Sequence, residues 1–183
     1  LATTVGPTNG ARAKGARMQR TSIEWTATQH PDGTWERGFS SNPLYVVDRE
    51  TGKRGWFCEK VSPGCASCYA SALNVRRGTG HEYLPENRDK VEWRLNEREL
   101  EAILRRRKPA RIFLCDMIDL FHEDVPDAFI DRIFAAMALA PQHSFLCLTK
   151  RPQRMREYFL HASLRIAALV YNARYEQRDG TAL

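Results

Sequence analysis

Hydrophobic positions recur along this chain in two rhythms, and the change from one to the other marks out its elements. Ile23-Glu24-Trp25-Thr26 alternates apolar with polar and predicts a short first strand, followed by a turn-rich stretch from His30 to Ser41 that holds Pro31-Asp32-Gly33 and Gly38. Leu44–Val47 and Gly55–Cys58 then bracket the polar run Asp48–Lys53, the pattern of two strands joined by a hairpin loop, with Cys58 at the end of the second. Ala66–Arg77 is helix-compatible and is closed by Gly78 and Gly80. Between Arg88 and Lys108 the positions Leu95, Leu100, Ile103 and Leu104 give partial helical periodicity, predicting one long helix or two short ones ended by Pro109.

The clearest pattern follows. Arg111–Cys115 predicts a strand, and Pro126–Ala140 a helix with Phe129, Ile130, Ile133, Phe134 and Met137 on one face. Ser144–Leu148 predicts another strand. Strand, helix and strand in that order make a βαβ unit, so the expected fold class is α/β. Ligands of such sheets lie beyond the carboxyl ends of the strands, which here are Asp116-Met117-Ile118-Asp119 and Thr149-Lys150-Arg151-Pro152. After Arg156 the pattern is helical again through Tyr158, Leu160, Leu164, Ala168 and Tyr171, with no further strand. This divides the chain into a basic arm over residues 1–20, an α/β domain over 21–158 and a helical tail over 159–183. The arm reads as a disordered segment or as sequence ahead of a misplaced start, and the tail as part of a truncated domain.

Composition adds limits. The 183 residues are 43% hydrophobic and 27% charged, which suits one globular core. Apolar runs such as Ala135–Ala140 fall far short of the roughly 20 residues a membrane-spanning helix needs. The net charge of +6 looks like a polyanion binder, yet the arm alone supplies Arg12, Lys14, Arg17 and Arg20; removing those four from 28 bases leaves 24 against 22 acids. Five cysteines without a secretory signal point to a reducing compartment, the cytoplasm, and to metal or redox use rather than disulfides.

Three of those cysteines change the picture most. Cys58, Cys65 and Cys68 form a Cys-x6-Cys-x2-Cys segment whose close pair sits after the Pro63-Gly64 turn. Three thiolates hold either an iron–sulfur cluster with one open iron or a zinc ion completed by a fourth ligand, for which His81 is the candidate. Cys115 and Cys147 lie in apolar strands and read as packing residues. In the first strand-end loop Asp116 and Asp119 are placed for cofactor or substrate contact, whereas Glu123 and Asp124 read as caps of the helix starting near Pro126. Lys150 and Arg151 suit a carboxylate or phosphate. Arg105-Arg106-Arg107-Lys108 reads as a solvated helix end rather than a nucleic-acid patch, and the four tryptophans show no stacking pattern.

Taken together, Thr21–Thr26, Lys60-Val61-Ser62-Pro63-Gly64-Cys65 with Cys68-Tyr69-Ala70, Lys108–Phe113, Asp119-Leu120-Phe121, Val125-Pro126-Asp127 and Leu148–Pro152 resemble a phage-associated three-cysteine protein family of uncharacterised function. The Cys-Tyr-Ala ending is more remotely similar to radical S-adenosylmethionine enzymes related to spore photoproduct lyase. That resemblance implies a partial (β/α) barrel, here incomplete, in which Cys58, Cys65 and Cys68 bind a 4Fe-4S cluster and S-adenosylmethionine occupies the open iron. It implies that Tyr69 packs beside the cluster and that Asp116, Asp119, Lys150 and Arg151 contact cofactor or substrate. Nucleic acid enters as a partner by analogy alone. The pattern departs from those enzymes in separating the first two cysteines by six residues where three are usual, in lacking a glycine-rich cofactor strand and in carrying a segment from Ala27 to Phe57 that looks inserted. The alternative is a zinc-stabilised phage or host interaction module without catalysis.

Overall fold

The computed structural model describes residues 18–178, with side chains described to residue 175. Of the arm over residues 1–20, residues 1–17 lie outside the described residues, and its last two positions form strand β1 (Gln19–Arg20). The segment Ile23–Thr26 is not a strand. Glu24–Thr26 is a 3-10 turn, because the Thr26 hydroxyl donates back to the Ile23 carbonyl at 2.6 Å and closes the chain on itself. Strands β2 (Thr28–Gln29) and β3 (Trp35–Glu36) pair as a short hairpin around the Asp32-Gly33 turn.

The next two strands bear out the predicted hairpin while shortening it. After β4 (Phe39–Ser41), β5 (Leu44–Asp48) pairs antiparallel with β6 (Arg54–Gly55), which stops three residues before Cys58. It stops there because the Trp56 amide donates to the buried Asn74 side chain at 2.9 Å instead of to a neighbouring strand. Helix α1 (Tyr69–Arg77) follows a 3-10 turn at Pro63–Cys65. The Arg88–Lys108 segment is a strand and then a helix: β7 (Val91–Leu95) pairs with β5 along its whole length, and α2 (Glu97–Arg105) starts after Asn96. Val91, Trp93 and Leu95 alternate with charged residues, a two-residue period that sheet pairing with β5 selects over the weaker helical one.

Strand β8 (Arg111–Leu114), helix α3 (Asp127–Leu139) and strand β9 (Ser144–Cys147) form the expected βαβ unit, with β8 and β9 parallel. The main sheet has the order β1-β4-β8-β9; β4, β8 and β9 run parallel, and β1 is antiparallel to β4. The turn-rich segment thus supplies an interior strand, β4, from within the stretch that reads as inserted. Helix α4 (Pro152–Arg178) runs to the end of the described residues.

Ile112, Leu114, Ile130, Ile133 and Tyr158 are buried between the sheet and helices α3 and α4, and truncating such a side chain to Ala costs about 2–5 kcal/mol. An aromatic group of Phe121, Phe134, Tyr158 and Phe159 locks α3 to α4, its ring centroids 5.0 to 6.4 Å apart. The second sheet buries Leu44, Val46 and Val91 with Phe57, which brings the residue before Cys58 into the core. Among the described residues no helix is long and apolar enough to cross a membrane.

Candidate metal centre at the carboxyl ends of the strands

Three loops leave the carboxyl ends of β4, β8 and β9 side by side, and the cysteine segment lies against those of β8 and β9. Cys58 is fixed from behind by its buried neighbour Phe57 and from the side by Arg151, whose Nη1 donates to Cys58 Sγ at 3.7 Å. Burial pushes the Cys58 thiol up, while the Arg151 guanidinium draws it back. Cys65 sits in the 3-10 turn with the Ser62 hydroxyl 3.5 Å from its sulfur. Burial raises its thiol too, but Ser62, the backbone of Val61 and Ser62 and the Lys150 ammonium outweigh that, bringing it down to about 7. Lys150 reaches this turn closely: a Cβ on Gly64 would stand 2.9 Å from Lys150 Nζ. Cys68 occupies the N-cap position of α1, where unpaired backbone N–H groups favour negative charge on whatever binds there.

Tyr69 follows Cys68 and ties α1 to the loop after β8, its Oη donating to the Asp116 carbonyl at 2.8 Å. Burial, with Asp116 and Cys68 nearby, pushes its hydroxyl up to about 12. Burial also raises the Asp116 carboxyl, countered by a 2.5 Å hydrogen bond from Asn42 Nδ2. Cys115, just before it, adopts φ 58, a left-handed conformation that costs a non-glycine residue roughly 1–2 kcal/mol. That turn swings Asp116 out of the strand direction, and the Cys115 side chain itself is buried, as expected of a packing residue.

Asp119 has a different part. Its two oxygens accept from Thr149 Oγ1 at 2.7 Å, Lys150 N at 2.9 Å, Phe121 N at 3.0 Å and Arg151 Nη1 at 3.3 Å. All of its donors come from the chain, so Asp119 joins the β8 and β9 loops and presents Arg151 to Cys58. Glu123 and Asp124 do not cap α3, whose N-cap position, Pro126, has no side-chain cap bond. Glu123 binds Arg151 Nε at 3.3 Å and Asp124 forms a two-point pair with Arg88, because buried or half-buried guanidinia compete for them more strongly than backbone N–H groups.

The eight site residues Cys58, Cys65, Cys68, Tyr69, Asp116, Asp119, Lys150 and Arg151 fall into one neighbourhood, and His81 falls outside it. The His81 ring bonds Asp48 at 2.5 Å beyond the far end of α1, and Thr51 and His81 together hold the Asp48 carboxyl well below its usual range. Two further residues matter and are invisible in the sequence pattern. Asn42 bridges the β4 loop to Asp116 and also accepts from the Met117 amide at 3.2 Å; its signal was the Asn-Pro turn, but β4 before it has no apolar period to reveal a strand end. Asn74 binds the Trp56 and Thr79 amides and the His81 carbonyl, and a Cβ on Gly55 or Gly78 would collide with it.

A second cluster adjoins Cys58. Among the described residues, Glu59, His122 and Glu123 bring three potential ligand atoms within 4.8 Å of one another. As a metal site they are weak, since His122 Nδ1 accepts the Asp124 amide at 3.2 Å and the ring proton is then on Nε2, although that nitrogen and Glu59 Oε1 are buried without a hydrogen-bond partner. Arg151 and Arg88 each stand 3.9 Å from Glu59, supplying the positive charge that a metal would bring. Burial and Arg151 hold His122 down at about 4, so it is neutral at physiological pH.

Residues 51–176, more than half of the chain, match the model of a family described as "Protein of unknown function (DUF5131)". No curated protein and no solved structure matches the chain.

Proposed function

Since the chain belongs to that uncharacterised family, whose matched span contains all three cysteines and both the β8 and β9 loops, we propose that it is an iron–sulfur protein of phage type, acting as a radical S-adenosylmethionine enzyme on a partial barrel. One observation carries the reading: each cysteine of the segment is bordered by a different strand-end device, Cys58 by Arg151, Cys65 by Lys150 and Cys68 by the Tyr69–Asp116 tie. Three soft donors with cations around them suit an anionic cluster better than an apolar packing role.

Cys58, Cys65 and Cys68 would hold the cluster. A bound cluster supplies an electron that cleaves S-adenosylmethionine into methionine and a carbon radical able to take hydrogen from a substrate. The chain's own residues bind and orient. Lys150 places an ammonium over the Gly64 turn for a carboxylate, Asp116 offers a half-buried carboxyl to an amine or hydroxyl, Tyr69 covers the flank, and Asp119 holds Arg151 on Cys58. The zinc module is the competing reading, and its fourth ligand, His81, is engaged by Asp48.

Anaerobic purification with iron, sulfide and zinc analysis decides between them. The expected product is brown, with iron and sulfide in equal amounts and colour lost in Cys65→Ala. A colourless protein holding one zinc would sink the proposal.

A further inference from the structure

The opposite ends of the same three parallel strands carry a second feature. A cleft of about 330 Å³ opens at the amino ends of β4, β8 and β9, lined by Gly38 and Phe39, Ala110 and Arg111, and Ser144, with Arg37 and Lys108 on its rim. Its charge is one-sided. Arg20, Arg37, Arg106, Arg107 and Arg111 have no carboxylate partner among the described residues, and the one acid in the wall, Glu36, is already shared by Lys108 at 3.0 Å and His30 at 3.4 Å. Arg106 and Arg20 lie over the Phe39 ring at 4.2 and 5.7 Å, which holds two guanidinia beside the cleft. The chain leaves α2 at Arg105, so Arg106-Arg107-Lys108 bends onto this end of the sheet instead of prolonging a solvated helix.

Two exposed tryptophans lie on the segments that carry or meet these cations. Trp35 is 65% exposed and immediately precedes Glu36; Trp25 is 49% exposed, and its carbonyl faces Arg111. Large exposed aromatics beside unneutralised guanidinia match the two parts of a nucleotide strand, phosphate and unstacked base. A duplex hides its base faces, and a lipid surface offers phosphate without rings that stack. We infer that this amino-end surface binds single-stranded nucleic acid, with phosphates on Arg37, Arg106, Arg107 and Arg111 and a base on Trp35. Charge along the chain agrees, since Arg12, Lys14 and Arg17 precede β1, which delivers Arg20 opposite Phe39. The surface is separate from the cysteine segment, and the inference stands whichever metal the cysteines hold.

The test is anisotropy of a labelled oligothymidylate with the full chain over a series of salt concentrations. Arg37→Glu combined with Arg107→Glu, both exposed and unpaired, should weaken binding at least tenfold and flatten the logarithmic salt dependence by about 0.7 for each lost phosphate contact. Trp35→Ala should weaken binding about tenfold with the salt dependence unchanged, because stacking releases no counterions. Arg132→Glu, on the α2–α3 face, should leave affinity as it was. The inference is overturned if the oligonucleotide fails to bind at low salt, or if a duplex or phosphatidylglycerol vesicles bind as tightly. It is equally overturned if binding disappears on replacing Arg12, Lys14 and Arg17 with Ala but survives the Arg37 and Arg107 reversals.

Discussion

The two ends of the main sheet carry guanidinium groups in opposite circumstances. At the carboxyl ends Arg151 is only 6% exposed and is met by Asp119, Glu123, Glu59 and the sulfur of Cys58. At the amino ends Arg37 and Arg107 are exposed and face no carboxylate among the described residues. A charge taken out of water must be matched from within the chain, and at the first end carboxylates meet Arg151 closely, although Arg151 Nη2, Glu59 Oε1 and His122 Nε2 stay buried without a hydrogen-bond partner. A charge left in water needs no match and stays available to a partner. The same residue type therefore ties loops together at one end and stands as unpaired surface charge, among the described residues, at the other.

Removing a partner from the buried network tests that contrast most severely. Asp119→Ala takes from the buried Arg151 one of its three carboxylates and leaves three further donors unmatched, and the expected loss is about 3–5 kcal/mol in urea unfolding. A loss under about 1 kcal/mol would mean that the network does not hold the loops. His122 comes next. Its folded pKa of about 4 lies below the unfolded value near 6.5, so the stability it contributes is fully present above pH 6.5 and is lost as pH falls toward 4, up to roughly 3 kcal/mol. Urea midpoints measured between pH 7 and pH 4 should decline more steeply in the wild type than in His122→Gln. Parallel slopes would assign the acid sensitivity elsewhere.

How much of this could be read beforehand follows from which forces act locally. The βαβ unit was legible because Phe129, Ile130, Ile133, Phe134 and Met137 repeat at helical spacing between two apolar runs, and the structure returns it within a residue or two. The cysteine segment was legible as soft-donor chemistry at fixed spacing. Its surroundings were not, since Asn42 and Asn74 act through backbone amides brought near by β4 and β6, strands of three and two residues without a readable period. Glu123 and Asp124 were misread as helix caps because capping is a local rule, and the partners that win them, Arg151 and Arg88, are 28 and 36 residues away. In the basic run Arg105 closes α2 exposed, as expected, and Arg107 and Lys108 are exposed too, whereas Arg106 leaves the helix to lie on Phe39, a contact that a local pattern cannot place.

The sulfurs give a smaller effect that sharpens the contrast within the carboxyl end itself. Cys65, half-exposed and drawn to about 7, should alkylate first in the metal-free chain, with a rate that rises through pH 7. Cys58, raised by burial, and Cys147, pushed up to about 12, should lag. Lys150→Met removes a cation that favours the thiolate, so the Cys65 midpoint should move to higher pH. An unmoved midpoint would show that Ser62 and the backbone alone set it, and that Lys150 does not reach the turn in solution.

The smallest effect belongs to the amino end. Arg37→Ala removes a full charge, as many as any substitution at the other end, yet among the described residues Arg37 has no carboxylate to strand, and its side chain is exposed. Its unfolding free energy should change by no more than about 0.5 kcal/mol, the range of an exposed and unpaired site. Taking away positive charge from a surface where Arg20, Arg106, Arg107 and Arg111 repel one another could even raise the urea midpoint slightly. A loss above about 1 kcal/mol would reveal a partner for Arg37 inside the chain, and the two ends of the sheet would then differ in degree of exposure rather than in kind.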